Sequence, residues 1–116
     1  MNLKEYIFRL KNLPESISFE DTIFIIDKYY IFEATEFKNA EILNKIDENI
    51  GSCKIFAFGL LNKLTESEVL QCFGDFYRKD VLIDPCGVNH QNIRSFIKNG
   101  WSGVQFEKEA LSLKIS

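Results

Sequence analysis

The fold turns on residues 49 to 59, NIGSCKIFAFG. Ser52 reads as the N-cap of a helix, and Ile55, Phe56, Ala57, Phe58, Leu60 and Leu61 then cover every face of it. A helix that is apolar all round is a buried one, so this segment is expected at the centre with the other elements packed around it. The whole sequence supports such a centre. Its 116 residues are the size of one domain, 46% of them are apolar and 27% charged, and eleven are Phe. Each Phe can bury a large area, which predicts an aromatic core that needs no metal, cofactor or disulfide.

On the N-terminal side of the central helix, Leu3, Tyr6, Ile7 and Leu10 recur at i, i+3, i+4 and i+7. They predict a first helix that ends before Pro14. Ser18 with Asp21 forms a capping-box pattern, and Phe19, Ile23, Ile26 and Tyr30 continue a second helical stripe, although the TIFII run is also compatible with a strand. Residues 30 to 38, YIFEATEFK, alternate and read as a half-buried strand. Residues 39 to 50 are polar with Ile42, Leu43 and Ile46 interspersed, and read as a helical turn and loop.

On the C-terminal side, Thr65 with Glu68 repeats the capping-box pattern and opens a helix that is expected to run to Ile83 through Gly74. Asp84, Pro85, Cys86 and Gly87 then make a turn. Asn89 is the expected cap of a last helix ending at Gly100, with Trp101 packing back on Phe96. Val104 and Phe106 alternate as a second strand, whose expected partner is 30 to 38. The reading is one α+β domain over residues 1 to 116, predominantly helical with about five helices and a small two-stranded antiparallel sheet.

At this point the runs GSCKIFAFG, CFGDFYRKDVL and NHQNIRSFIKNGWSGVQFE become informative together. With PESISFEDT nearer the N-terminus, they resemble the HopJ type III effector protein family over nearly the whole chain. The resemblance implies a bacterial protein that Gram-negative pathogens inject into host cells, with no defined biochemical activity. It also implies an acidic residue where Asn89 stands. Asparagine caps a helix as well, but withdraws a carboxylate from the neighbourhood of His90.

Charge and cysteine usage narrow the functional classes. Residues 1 to 50 carry six Lys/Arg against ten Asp/Glu, and residues 51 to 116 carry eight against seven. Neither half is a basic stripe, which argues against nucleic acid as a partner. No apolar run reaches the length of about eighteen residues that spans a bilayer, so no membrane partner is expected. An odd number of cysteines and no apolar signal segment before Lys4 point to free thiols in a reducing compartment, the cytoplasm, which the resemblance implies is bacterial. Protein partner and oligomeric state are left open.

Three constellations could carry chemistry. Cys53, His90 and Asn99 stand in the chain order of papain-type enzymes, with Trp101 following the Asn. A thiol at a helix N-terminus gains acidity from the helix dipole, and His90 is the single histidine able to act as its base. Cys86 and His90 have the spacing of half a zinc site, but Cys53 and Cys72 bring no close second pair, so no metal is expected. Arg78, Asp80 and Asp84, near the end of one helix, face His90 and Arg94 on the next, where paired guanidinium groups could hold a carboxylate or phosphate, with Trp101 nearby. The leading functional reading is an interaction or regulatory protein. A cysteine-dependent hydrolase or transferase using Cys53 and His90 is the alternative, and a small-anion or acidic-peptide binder the second.

Overall fold

The computed structural model describes residues 1 to 114. Among the described residues there are five α-helices: α1 (Leu3–Asn12), α2 (Phe19–Tyr29), α3 (Ile50–Leu61), α4 (Glu66–Cys72) and α5 (Gln91–Asn99). Five short strands accompany them: β1 (Tyr30–Phe32), β2 (Phe37–Asn39), β3 (Ile42–Asn44), β4 (Val104–Phe106) and β5 (Leu111–Leu113). Short 3-10 turns at Pro14–Ser16 and Gly100–Gly103 and a π-helical segment at Phe76–Val81 complete the set. The class is α+β and mainly helical. A radius of gyration of 13.4 Å is about what one compact domain of this length should have.

The central helix is α3, as its all-round apolarity predicts. Cys53, Ile55, Phe56, Ala57, Phe58 and Gly59 are buried along it. Phe56 is the hub, meeting the rings of Phe37, Phe73, Phe96 and Trp101 at centroid distances of 6.0, 5.6, 5.0 and 6.4 Å. Phe58 meets Tyr6 and Tyr30 edge-on at 5.8 and 5.7 Å. Edge-to-face and tilted pairs of this kind add to the area that the rings remove from water. The close approach of Trp101 needs Gly59, where a Cβ would lie 2.6 Å from Val69 and 2.9 Å from Trp101.

Both capping boxes form. Ser18 and Asp21 exchange side-chain-to-backbone bonds at the start of α2, and Thr65 and Glu68 do so at the start of α4. Tyr6 and Leu10 are the buried stripe of α1, with Leu3 and Ile7 packed against the core. The TIFII run is helical within α2. At the far end of α5, Trp101 stands edge-on to Phe96 at 5.1 Å after Gly100 turns the chain at φ +63.

Several local expectations are corrected. The expected strand 30 to 38 is two strands in two sheets: β1 pairs with β5, while β2 is central in the order β3-β2-β4. The anticipated pairing with 104 to 106 therefore holds for β2 alone, in the register Phe37 with Phe106 and Asn39 with Val104. Residues 39 to 44 make a β-hairpin rather than a helical turn, with Ala40 at φ 55. The buried face of that hairpin carries Asn39 and Asn44, which hydrogen-bond to Asn92 in α5, so a distant polar partner overrides a weak local helical pattern. Helix α3 begins at Ile50 with Asn49 as N-cap, placing Ser52 in the first turn. Helix α4 stops at Cys72 because Gly74 adopts φ +61, where an added Cβ would meet the Phe19 backbone nitrogen at 2.5 Å. The N-cap of α5 is His90 rather than Asn89.

Candidate functional site

Two of these corrections concern the same place. Asn49 caps α3 and His90 caps α5, both at left-handed backbone angles, and neither side chain bonds the N–H groups of its own helix. The first intrahelical bond of α3 is Cys53 N–H to Asn49 C=O at 3.0 Å, which leaves the N–H groups of residues 50 to 52 free of intrahelical partners. In α5 the Ile93 and Arg94 N–H groups reach His90 C=O, which leaves those of Gln91 and Asn92 free. Both helix ends line one groove of about 440 Å³ between α2, α3, the π-helical segment and α5.

Aromatic rings form the other wall. Phe19, Phe76 and His90 make a ladder with centroid separations of 5.0 and 5.1 Å, and Phe73 closes the floor. The Phe19 ring can lie against the end of α3 because residue 51 is glycine, where a Cβ would come within 2.9 Å of the ring. The π-helical segment presents both Phe76 and Asp80, and the Asp80 carboxylate holds His90 Nε2 at 2.9 Å. His90 is thus fixed by a tilted aromatic neighbour and a carboxylate, with Nδ1 left as its second polar atom. Apart from this ring, no ionisable side chain lines the groove. Its polarity comes from amide N–H groups and from Asn49, Ser52, Gln91 and Asn92.

The arginines expected to bind a ligand are otherwise engaged. Arg78 Nη1 donates to Pro14 C=O at 3.1 Å and Gln71 Oε1 at 2.9 Å, and Nη2 donates to Ile17 C=O at 2.6 Å. It clamps the connection between α1 and α2. Arg94 donates to Asn89 C=O, Asn89 Oδ1 and Asp84 C=O at 2.6 to 2.7 Å and so latches the loop ahead of α5. Asp84 contributes its backbone carbonyl to that latch. Trp101 is half-buried and packs against the core beside Phe96, its Nε1 donating to Leu64 C=O at 3.0 Å, and does not line the groove.

Cys53, His90 and Asn99 are not drawn together. Cys53 is 2% exposed, lies one turn inside α3, and has its Sγ 3.9 Å from Thr35 C=O. Burial pushes its thiol above the ordinary range, the opposite of what an activated nucleophile needs, against smaller opposing contributions from the Thr35 contact and the Lys54 charge. His90 and Asn99 stand at opposite ends of α5, whose length is about 13 Å, and Asn99 Nδ2 is bonded to Ser95 C=O at 3.1 Å. Among the described residues no group of His, Cys, Asp and Glu is arranged to hold a metal ion.

The residues that sequence reasoning passes over are Phe19, Phe73, Phe76 and the asparagines 39, 44, 49 and 92. The available signal was the pair of αL-prone asparagines, Asn49 and Asn89, flanking the starts of two helices. It identifies a cap region but not the side chain that declines to cap.

The groove between the two open helix ends, with aromatic rings along it, is thus a concave site on a small α+β domain. The chain belongs to the HopJ type III effector protein family, whose sequence profile matches residues 3–111. It is similar to the crystal structure of VPA0580, a protein of unknown function, at 49% identity and a TM-score of 0.96, covering 98% of this chain and 95% of that one. No curated protein matches it.

Proposed function

We propose that this chain is an interaction protein that holds an anionic group of its partner, a carboxylate or phosphate flanked by an apolar group, in the groove between α3 and α5. One observation carries the reading: two open helix N-termini line the same groove, opposite aromatic rings. Free N–H groups at a helix start, with the positive end of the helix dipole, favour negative charge. The rings of Phe19 and Phe76 suit an apolar neighbour of that charge. The anion-binding role thereby passes from Arg78 and Arg94 to backbone amides.

Thermal unfolding with increasing phosphate, against chloride at equal ionic strength, tests this. A ligand that binds only the folded chain raises the midpoint in proportion to the logarithm of its concentration. A phosphate-specific rise is expected, larger for phenyl phosphate, and identical midpoints in the two salts would remove the reading. Alkylation at pH 6 examines the thiol-enzyme alternative, because rapid labelling of Cys53 that His90→Ala abolishes would establish it.

Family membership brings the further proposal that the partner is a host protein reached by type III secretion, rather than one met in the bacterial cytoplasm. Export of a reporter fused to residues 2–12 from a secretion-competent strain would support delivery. Retention of a full-length fusion would favour a resident role.

A further inference from the structure

A buried lattice of asparagine side chains lies behind the groove. On the inner face of the β2–β3 hairpin, Asn39 and Asn44 are both 0% exposed, and Asn92 in α5 is 7% exposed. Asn39 Nδ2 donates to Asn92 C=O at 2.9 Å and to Asn92 Oδ1 at 3.0 Å. Asn44 and Asn92 bond reciprocally, Asn92 Nδ2 to Asn44 Oδ1 at 2.9 Å and Asn44 Nδ2 to Asn92 Oδ1 at 3.2 Å. Asn49 Nδ2 then donates to the same Asn44 Oδ1 at 2.6 Å. One oxygen atom therefore joins the N-cap of α3 to the second residue of α5.

We infer that Asn44 is a positioning residue for the groove: without lining it, its side-chain oxygen fixes the two helix ends relative to each other. The inference rests on the anion-binding reading above. Two physical points support it. Buried amides gain little net stability over apolar groups of the same shape, whereas mutually bonded buried side chains hold one geometry, and both the oxygen and the nitrogen of Asn44 are bonded here, while Asn39 Oδ1 has no partner. Asn49 sits at φ 51 and ψ 50, outside the extended backbone from which an N-cap side chain reaches the N–H groups of its own helix, and its side chain instead ties the start of α3 to Asn44. Removing Asn44 loosens the spacing of the two helix ends and so weakens their joint hold on an anion.

The test is an amide-resolved NMR titration with inorganic phosphate on the full chain, with Asn44→Ala, Asn49→Gly and Leu10→Ala as variants. Glycine suits the φ of 51 at residue 49, so Asn49→Gly removes the link to Asn44 without backbone strain and remains informative should Asn44→Ala fail to fold. Leu10, 2% exposed on α1, is a destabilising control outside the groove. The wild type should show phosphate shifts at residues 50–52 and 91–92 with a common dissociation constant. Asn44→Ala and Asn49→Gly should weaken binding roughly fivefold or more, while Leu10→Ala retains wild-type affinity. Wild-type affinity in both asparagine variants, or an equal loss in Leu10→Ala, overturns the positioning role and leaves the binding site standing. Absence of any phosphate shift in the wild type overturns the site itself, and the positioning role with it.

Discussion

Replacing Arg78 with Met keeps the apolar stem and removes the guanidinium, and so separates a clamp from a ligand-binding arginine. In the fold this group donates to Pro14 C=O, Gln71 Oε1 and Ile17 C=O, with its side chain 18% exposed. Gln71 can turn to water and Pro14 C=O still accepts from Ile17 N–H at 3.2 Å, which leaves Ile17 C=O with the largest loss. A stranded buried carbonyl together with a lost charge-assisted bond comes to about 2 to 4 kcal/mol. An unfolding entropy near 2.1 cal/mol/K per residue converts each kcal/mol to roughly 4 °C for a chain of this length, so the midpoint should fall by about 8 to 16 °C. Arg78→Lys should recover less than half of this, because one ammonium cannot serve carbonyls in two directions at once. Scanning calorimetry gives the midpoint, and phosphate titration of the still-folded variant should give an unchanged affinity. A fall under about 3 °C with phosphate binding abolished would refute the clamp and return Arg78 to the ligand site.

Gly74→Ala should destabilise by about 3 kcal/mol in urea unfolding, since it combines φ +61 with a Cβ 2.5 Å from the Phe19 nitrogen, and a change near zero would contradict the break between α4 and the π-helical segment. Of the free thiols, Cys86 is exposed while Cys53 and Cys72 are buried, so a thiol reagent at pH 8 should label Cys86 alone until denaturant is added; mass spectrometry showing Cys53 labelled as fast would contradict its burial. Burial pushes the Cys72 thiol from 9.0 up to about 12 and raises the Tyr6 phenol above its ordinary range. Both groups keep their protons in the fold while the unfolded chain releases them. Stability is therefore fully present below pH 9.0 and declines as the pH rises from there toward about 12, by about 1.4 kcal/mol per pH unit for each group in its window. Cys72→Ala should lessen the fall of the urea midpoint between pH 9 and 10, part of the slope remaining because burial also raises the Cys53 thiol, and an unchanged slope in that variant would show that the Cys72 thiol is not responsible.

Local rules with local partners are legible in this chain. The boxes Ser18 with Asp21 and Thr65 with Glu68 close within three residues, and the apolarity of α3 identifies the core before any contact is known. The hairpin at residues 37 to 44 is not legible, because the burial of Asn39 and Asn44 is set by Asn92, some fifty positions away. Arg78 and Arg94 look like ligand arginines because their acceptors are backbone carbonyls, which have no sequence signature. Ser52 looks like the cap of α3 because serine commonly is one, whereas the chain uses Asn49 at φ 51 and ties its side chain elsewhere. The groove arises from two helix starts forty residues apart, and no spacing rule links them.

The central claim is that open amides at the starts of α3 and α5 hold an anionic group together. Its most direct measurement is a ¹⁵N–¹H titration of the wild-type chain with phosphate at constant ionic strength. Shifts concentrated at residues 50–52 and 91–92, saturating with one dissociation constant, are the expected result. Shifts spread over exposed lysines such as Lys79 and Lys108, with the two helix ends unmoved, would contradict it.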